Sequence, residues 1–410
     1  MKVCLINPQD TIVEDILWDE PLGLLYLGAV LERERIPVEV LDLNFYKDWE
    51  AELKKHEADF YGVYCSSSLL GSAVRVQRLL KHCFPRSVLV AGGPHATCNP
   101  ESLKPYFDYV VMGEGETPIV KIARGEIGEP PPKTLGYAPI EDLDTVPFPA
   151  RHLIPIHEYH RTVGGRRSTG LITARGCPHS CAFCSKVWGH KVRFRSAENV
   201  IAEVKECIEK YGIRGFSIRD DTFTMNKSRL LKILHGFLFL DVKWRCLTRV
   251  DQVNLETLRA MKDSGCVEIV YGIESGSQKI LDNLQKGTTV EQNARAIDLT
   301  KEAGIECKAA VIVGSPGETW KTVDATIRFI EEHTPNKGIV CVFTPFPGSP
   351  AWDDPERFKI KILTRDVTKY QVVGPGMMGN VVVETEEMAA QDIAEAHDMV
   401  LARFKELGII

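Results

Sequence analysis

The sequence lacks the features that mark membrane, secreted and nucleic-acid-binding proteins. Its longest apolar run, Leu22–Leu31, is far shorter than the roughly 18 residues that a membrane-spanning helix needs. The first residues contain neither the apolar core nor the cleavage site of a signal peptide. Acidic residues outnumber basic ones by 56 to 50, so there is no excess of positive charge to bind nucleic acid. We therefore expect a cytoplasmic protein with no membrane span and no nucleic-acid partner.

The sequence also gives no indication of a disulfide framework, although its 410 residues include 12 cysteines. In a chain of this length without a secretion signal, cysteines are better explained as reduced thiols or metal ligands. Most of them stand singly, several within apolar, strand-like runs. Three are clustered in a C-x3-C-x2-C loop and are the candidate metal ligands: Cys177, Cys181 and Cys184.

The first third of the sequence has the pattern of an open α/β domain. Short apolar runs alternate with helix-compatible segments, which predicts right-handed crossovers and a doubly wound parallel sheet of five strands. The predicted strands are Val3–Asn7, Val38–Asp42, Phe60–Cys65, Ser87–Ala91 and Tyr109–Met112. Ligands of such sheets bind beyond the C-terminal strand ends, where the polar and glycine-containing segments of this region fall.

Strand–helix alternation restarts at Gly170 and predicts a second α/β domain. The predicted strands are Leu171–Thr173, Gly215–Arg219, Trp244–Arg249, Val267–Ile273, Glu306–Val313 and Gly338–Thr344. Six βα units in tandem favour a partial TIM-like barrel over a complete eight-unit one. Cysteine, polar or glycine-rich segments follow each predicted strand, on the face where βα barrels carry their catalytic residues.

Composition and the positions of the prolines divide the chain into four predicted segments. Residues 1–125 form the first α/β domain, and residues 126–165 a connector in which Pro130–Pro132 and later prolines exclude regular helix. Residues 166–355 form the partial barrel. Residues 356–410 form a small appendage that ends in a predicted helix, Glu386–Leu407.

Three clustered thiols are compatible with two kinds of metal centre. A structural zinc site would need a fourth ligand, for which His179 or His190 is available. An iron–sulfur cubane normally takes four thiolates. With three, one iron keeps an open position where a substrate or cofactor binds.

The cysteine loop at the end of the first barrel strand resembles the signature of the radical S-adenosylmethionine (SAM) enzymes, and the resemblance extends over about residues 168–350. It implies a 4Fe–4S cluster whose open iron chelates SAM and whose reduction yields a 5′-deoxyadenosyl radical. Asp220–Asp221 occupies the place of the family's Gly-Gly-Glu segment, although paired aspartates at a strand end are also common helix caps. Glu274 likewise has an alternative role as a cap of the following helix. The expected SAM contacts are Phe183, Asp220, Asp221, Arg249, Glu274, Ser275 and Gly314.

The first domain resembles the cobalamin-binding domain of one radical SAM subfamily. The resemblance is carried by Pro21–Val30, Ala91–Thr97 and Gly113–Glu116. Glycines in the second segment allow a large flat ligand to lie against the backbone, and one of two serines before Leu69 is expected to bond the nucleotide tail. The expected cobalamin contacts are Asn7, Pro8, Leu22, Ser67, Ser68, Leu69, Gly92, Gly93, His95, Gly113 and Glu114. The Asp-x-His-x-x-Gly segment that supplies an axial histidine in many cobalamin proteins is absent, so we expect no protein imidazole on cobalt.

The resemblance implies a cobalamin-dependent C-methyltransferase that acts on an unactivated carbon. One SAM would methylate cobalt, and a second would be cleaved to the radical that abstracts a substrate hydrogen. The implied partners are an electron donor such as flavodoxin or ferredoxin, and a substrate that is a small metabolite or a protein side chain, for instance of methyl-coenzyme M reductase. Two alternatives stay open: a radical SAM enzyme for ring formation, rearrangement or methylthio transfer, and a non-catalytic iron–sulfur or zinc module.

Overall fold

The computed structural model describes residues 1–10, 15–127, 134–370 and 380–410. These residues form two compact units, Met1–Arg161 and Thr162–Ile410. Pro130–Pro132 of the predicted connector and residues 371–379 of the predicted appendage lie outside the described residues. The limits of the four predicted segments stay a prediction.

The first unit contains a six-stranded parallel sheet in the order β2-β1-β3-β4-β5-β6. Its strands are β1 Val3–Asn7, β2 Val38–Asp42, β3 Phe60–Tyr64, β4 Val88–Gly92, β5 Tyr109–Met112 and β6 Thr134–Gly136. The predicted doubly wound parallel fold is confirmed, but the expected number of five strands is wrong. The additional strand β6 has three residues, of which only Leu135 is buried, so no apolar run reveals it in the sequence.

Helices cover this sheet, which explains why its strands read as nearly continuous apolar runs. The α-helices of the first unit are α1 Leu22–Arg33, α2 Trp49–Leu53, α3 Leu70–Cys83, α4 Pro94–Cys98 and α5 Glu116–Ala123. All five residues of β1 are buried. The strand order changes direction between β1 and β3, and a doubly wound sheet forms its ligand crevice at such a point.

The second unit contains a seven-stranded sheet in the order β15-β14-β13-β12-β11-β8-β7. Its strands and the short strands beside it are β7 Thr162–Val163, β8 Arg166–Leu171, β9 Ala174–Arg175, β10 Arg193–Phe194, β11 Gly215–Ile218, β12 Lys243–Thr248, β13 Cys266–Glu274, β14 Glu306–Val313, β15 Lys337–Val342, β16 Ile360–Ile362 and β17 Val383–Thr385. Strand β7 pairs with β8 in an antiparallel hairpin, and the other six strands are parallel. The partial barrel of six βα units is confirmed.

The position of the first barrel strand was predicted wrongly. We expected Leu171–Thr173, whereas β8 spans Arg166–Leu171 and pairs with β11 from Ser168 to Leu171. The strand begins in charged residues because it is one arm of the β7–β8 hairpin, so its first half carries no apolar signal. Ile172 and Thr173 therefore belong to the loop beyond the strand.

Helices of the second unit begin and end largely where capping residues predict. They are α6 Ala197–Tyr211, α7 Lys227–Leu238, α8 Leu255–Asp263, α9 Gln278–Asn283, α10 Val290–Glu302, α11 Trp320–Glu332, α12 Pro350–Asp353 and α13 Ala390–Glu406. The side chains of Ser196 and Asn254 accept the capping hydrogen bonds of α6 and α8. Helix α13 begins four residues later than predicted. None of the helices in the described ranges has the length and apolarity to cross a membrane.

Candidate active site

The cysteine loop follows β9 and is held by main-chain hydrogen bonds. Cys177 N donates to Gly189 O at 3.1 Å, and Cys184 N donates to Cys181 O at 3.2 Å. Gly176, directly before the first cysteine, has φ +102°, and a Cβ there would overlap the carbonyl oxygen of Lys191. Only glycine meets both conditions, so the sequence requires it for this entrance to the loop.

The three thiols influence one another. Burial raises the pKa of Cys181 and Cys184, since the protein surroundings disfavour a thiolate. The charge of Cys177 raises both pKa values further, whereas Lys286 and Arg249 oppose the shift at Cys181. Three thiols in one C-x3-C-x2-C loop can supply three of the thiolates that hold an iron–sulfur cluster. Within the described residues, no three His, Cys, Asp or Glu side chains already stand in the geometry of a metal site.

Lys286 is a site residue that the sequence did not indicate. Its Nζ donates to Glu274 Oε1 at 2.6 Å, and both side chains are at least nine-tenths buried. The same ammonium lies 5.9 Å from the ring centroid of Phe183. Glu274 has φ +61° at an irregularity of the β13–β14 pairing. The carboxylate of Glu274 and the ammonium of Lys286 thus join the end of β13 to the loop after α9, twelve residues further along the chain.

Arg249 is buried and holds the loop that carries Lys286. Its guanidinium donates to both carboxylate oxygens of Asp251, each at 3.0 Å, and to Lys286 O at 3.0 Å. Two nitrogens of the Arg249 guanidinium, Nε and Nη2, thus donate to acceptors within the protein. The geometry favours positioning of the Lys286 loop over direct contact with SAM.

The two adjacent aspartates have different surroundings. Asp220 is buried and accepts from Thr173 N at 2.6 Å, Thr173 Oγ1 at 2.5 Å and Ala174 N at 3.0 Å. It thus fixes the chain between β8 and the cysteine loop. Asp221 reaches solvent, and partial desolvation together with the charge of Asp220 raises its pKa. Of the pair, Asp221 is the carboxylate that is free to face a ligand.

The turn after β14 is organised by Glu318. Its Oε2 accepts from Gly314 N at 2.5 Å and from Ser315 N at 3.2 Å. Burial raises the pKa of Glu318 to about 7. The sequence predicted this turn as a SAM segment but did not indicate that its glutamate holds it. Ser275, at the neighbouring strand end, lies 3.0 Å from Thr326 Oγ1 through its hydroxyl.

Three buried polar atoms near these strand ends have no hydrogen-bond partner within the described residues. They are Thr288 Oγ1, Asn293 Oδ1 and Ser315 Oγ. Asn293 Nδ2 donates to Ile273 O at 2.9 Å, which places this residue beside the end of β13. Buried polar atoms are normally paired, so unpaired ones at strand ends fit a polar ligand such as SAM.

In the first unit, an acidic residue organises the end of β1. Asp42 is buried, and its carboxylate accepts from Asn7 Nδ2 at 3.1 Å and from Tyr159 Oη at 2.6 Å. Burial raises the pKa of Asp42, against the opposing effect of these donors. Asn7 donates its amide to Asp42, which leaves its carbonyl oxygen for a ligand, and Pro8 follows directly.

The ends of β3 and β4 meet through a histidine. His95 lies 2.9 Å from Ser67 Oγ through Nδ1 and 2.9 Å from Ser102 Oγ through Nε2. Ser68 is exposed and lies 3.0 Å from Ser66 Oγ instead. Both ring nitrogens of His95 therefore lie within hydrogen-bond distance of serine hydroxyls.

The remaining predicted cobalamin residues also lie near strand ends. Gly113 N donates to Thr97 Oγ1 at 3.0 Å, and Glu114 accepts from Ile140 N at 2.7 Å. The strand-end group of predicted residues is Asn7, Pro8, Ser67, Ser68, Leu69, Gly92, Gly93, His95, Gly113 and Glu114. Since the strands are parallel, these residues share one edge of the sheet. Leu22 does not lie at a strand end, because it is the first residue of α1.

Comparisons with known proteins agree with both units. Residues 20–123 match the B12 binding domain, and residues 171–330 match the Radical SAM superfamily. A relative from Pyrococcus horikoshii, described as the uncharacterized methyltransferase PH0819, is 31% identical, with 92% of this chain and 88% of the relative covered. An anaerobic magnesium-protoporphyrin IX monomethyl ester cyclase from Rubrivivax gelatinosus is 28% identical, with 85% and 65% covered.

A solved structure shows the same fold over nearly the whole chain. It is the radical S-adenosylmethionine methyltransferase TsrM from Kitasatospora setae, with cobalamin and a 4Fe–4S cluster bound. The TM-score is 0.73 at 19% sequence identity, and the match covers 98% of this chain and 82% of that one.

Proposed function

Because the chain belongs to the radical SAM superfamily and carries a B12 binding domain, we propose that it is a cobalamin-dependent C-methyltransferase that acts on an unactivated carbon. The observation that carries the proposal is the C-x3-C-x2-C loop with Cys177, Cys181 and Cys184, which lies within the region that matches the Radical SAM superfamily. Three thiolates leave one cluster iron open, as chelation of SAM requires.

When bound, the cluster and SAM would supply a 5′-deoxyadenosyl radical, and cobalamin would supply the methyl group. The protein's part is to hold and orient these groups and to exclude water. The three cysteines would ligate the cluster as thiolates. Lys286 and Arg249 would offset part of their negative charge, because both cations oppose the rise that burial causes in the pKa of Cys181.

The strand ends of the barrel would hold SAM. Asp221, whose side chain is exposed, would meet the amino group of SAM, whereas Asp220 is bonded to Thr173 and Ala174 and fixes the loop between β8 and the cysteines. Glu318 would keep the turn after β14 in shape by accepting hydrogen bonds from Gly314 N and Ser315 N. The unpaired hydroxyl of Ser315 would donate or accept a hydrogen bond to the bound nucleoside, and the amide oxygen of Asn293 would accept one.

The strand-end edge of the first unit would hold cobalamin, with no imidazole from His95 on cobalt. A radical SAM enzyme needs a reductant and a substrate. We propose a flavodoxin or ferredoxin as the reductant, and a small metabolite or a protein side chain, such as one of methyl-coenzyme M reductase, as the substrate. Ring formation is the second candidate outcome, since a cyclase is among the relatives.

Anaerobic reconstitution with iron and sulfide, followed by dithionite, SAM and cobalamin, tests the proposal. We expect formation of 5′-deoxyadenosine and methionine, and loss of both in the Cys181→Ala variant. Cys83→Ala removes a thiol outside the loop and should leave both products unchanged. A protein that binds zinc and forms no 5′-deoxyadenosine would contradict the proposal.

Product analysis separates methyl transfer from ring formation. With substrate present, methyl transfer through cobalamin consumes two SAM molecules, so S-adenosylhomocysteine and 5′-deoxyadenosine form in equal amounts. Ring formation requires only the radical and yields no S-adenosylhomocysteine. Extracts supplied with methyl-labelled SAM would show which metabolite or protein receives the label.

A further inference from the structure

The end of strand β13 turns sharply at Glu274. Ser275 N donates to Ile273 O at 2.8 Å, a hydrogen bond that spans only three residues. Glu274 lies between them with φ +61°, a conformation that residues other than glycine rarely adopt. A three-residue hydrogen bond around a positive φ is the pattern of the γ-turn with a strained central residue. Strain of this kind persists only where the surrounding structure holds it in place.

The turn brings the Glu274 side chain back over its own strand. The pairing of β13 with β14 shifts register between Gly272 and Glu274. A Cβ at Gly272 would overlap Glu274 Oε1 and would stand 2.8 Å from Lys286 Nζ. The carboxylate and the ammonium, 2.6 Å apart, thus lie against the bare backbone of Gly272. The strained turn and the buried ion pair are therefore parts of one arrangement.

Side chains from two helices hold this turn. From α10, Asn293 Nδ2 donates to Ile273 O at 2.9 Å and to Ser275 O at 3.4 Å. From α11, Thr326 Oγ1 accepts from Gly276 N at 3.0 Å and lies 3.0 Å from Ser275 Oγ. Both side chains are buried. The main chain on either side of the central residue of the turn is therefore bonded to one of these two side chains.

We infer that Asn293 and Thr326 are positioning residues for SAM binding, because they fix the strained turn that directs Glu274 to Lys286. Neither has to touch SAM for this role. Without their hydrogen bonds the turn would relax towards extended backbone, and the carboxylate would lose its place over Gly272. Since SAM binding at this strand end belongs to the proposed function, the role of the two residues in it rests on that function.

Thr326→Val tests this role, and Thr300→Val is its matched control. Both threonines are buried, and both donate to the main-chain oxygen four residues earlier in their helix. Both also meet β13 through the hydroxyl, but Thr300 does so at Tyr271 Oη, 2.9 Å away and before the turn. Valine keeps the shape of threonine and removes the hydroxyl. A difference between the two variants therefore reports the turn and not the general cost of a lost hydrogen bond.

Hydrogen exchange of the cofactor-free protein measures the turn directly. In Thr326→Val, Gly276 N loses its acceptor, so the peptide that contains Ser275 and Gly276 should exchange faster than in wild type. Asn293→Ala should also raise the rate, because it removes the donor to the carbonyl oxygens of the turn. The same peptide should exchange at the wild-type rate in Thr300→Val. Unchanged exchange in Thr326→Val or Asn293→Ala, or an equal increase in Thr300→Val, would overturn the inference.

Equilibrium dialysis of labelled SAM against reconstituted protein measures the consequence for binding. Thr326→Val should bind SAM about tenfold more weakly than wild type, whereas Thr300→Val should bind it like wild type. Thr326 is the cleaner probe for this measurement, since the amide oxygen of Asn293 is also assigned to the nucleoside. In a Glu274→Ala background, Thr326→Val should weaken binding no further, because the turn then has no carboxylate to position.

The outcomes separate the positioning role from the proposed function. A persistent tenfold effect of Thr326→Val in the Glu274→Ala background would show that Thr326 does not act through Glu274. That result would contradict the role, as would wild-type affinity for SAM in either single variant. Wild-type protein that carries the cluster but binds no SAM would refute the proposed function and the role in SAM binding with it, whereas the exchange result on the turn would stand.

Discussion

Glu318 is expected to make the second unit less stable as the pH rises through neutrality. Its side chain is 1% exposed, and burial raises its pKa from 4.5 to about 7, although two backbone N–H groups favour the charged form. A carboxyl with a raised pKa binds its proton more tightly in the folded state than in the unfolded state. The resulting penalty is absent below about pH 4.5, grows up to about pH 7 and is then constant.

The pKa difference sets the size of this effect. A shift of one unit corresponds to roughly 1.4 kcal/mol, so the difference between 4.5 and about 7 corresponds to roughly 3 kcal/mol of unfolding free energy. The Glu318→Gln variant removes the titration and keeps an oxygen that accepts from Gly314 N and Ser315 N. Part of the penalty is already present at pH 5, so the stability of the variant relative to wild type should increase by about 2.5 kcal/mol between pH 5 and pH 8.

Urea unfolding of both proteins at pH 5, 6, 7 and 8, followed by tryptophan fluorescence, measures the difference. Glu332→Gln is the control, since this glutamate is exposed at the end of α11, the helix that begins two residues after Glu318. The control should follow wild type at every pH. A constant difference between Glu318→Gln and wild type, or a wild type that gains stability relative to the variant as the pH rises, would refute the reasoning.

Three further substitutions follow from the site. Gly176→Ala should lower the iron bound per chain after reconstitution, because its Cβ overlaps a carbonyl and its φ is positive. Gly71→Ala, in helix α3 with open space around it, should retain iron; equal iron contents in the two variants would contradict this. Glu203→Ala removes the buried carboxylate that is paired with the guanidinium of Arg195 and should cost roughly 3–5 kcal/mol in urea unfolding, against little for Glu206→Ala, whose lysine partner is exposed. Asp220→Asn should lower the melting temperature of cofactor-free protein, since an amide cannot accept all three hydrogen bonds that the Asp220 carboxylate accepts. An unchanged melting temperature would show that Asp220 does not anchor the loop after β8.

Local signals in the sequence were sufficient to predict most of the helices and strands. Ser196 and Asn254 begin helices as predicted, because an N-cap acts on residues two or three positions away. The five longer strands of the first unit are recognisable because burial on both faces makes them apolar throughout. The hairpin strand β8 and the three-residue β6 were misplaced or missed, because their pairing depends on neighbours distant in sequence.

The sequence by itself determined the fold class, the cysteine spacing and the strand ends at which functional residues gather, because periodicity, capping and ligand spacing are properties of short segments. Only the tertiary structure decided the roles of individual side chains. It joined Lys286 to Glu274, Asp220 to Thr173 and Ser67 to His95, pairs separated by 12, 47 and 28 residues. Whether a polar group faces a ligand or another residue depends on which partner the fold brings within hydrogen-bond distance, and no local pattern encodes that distance.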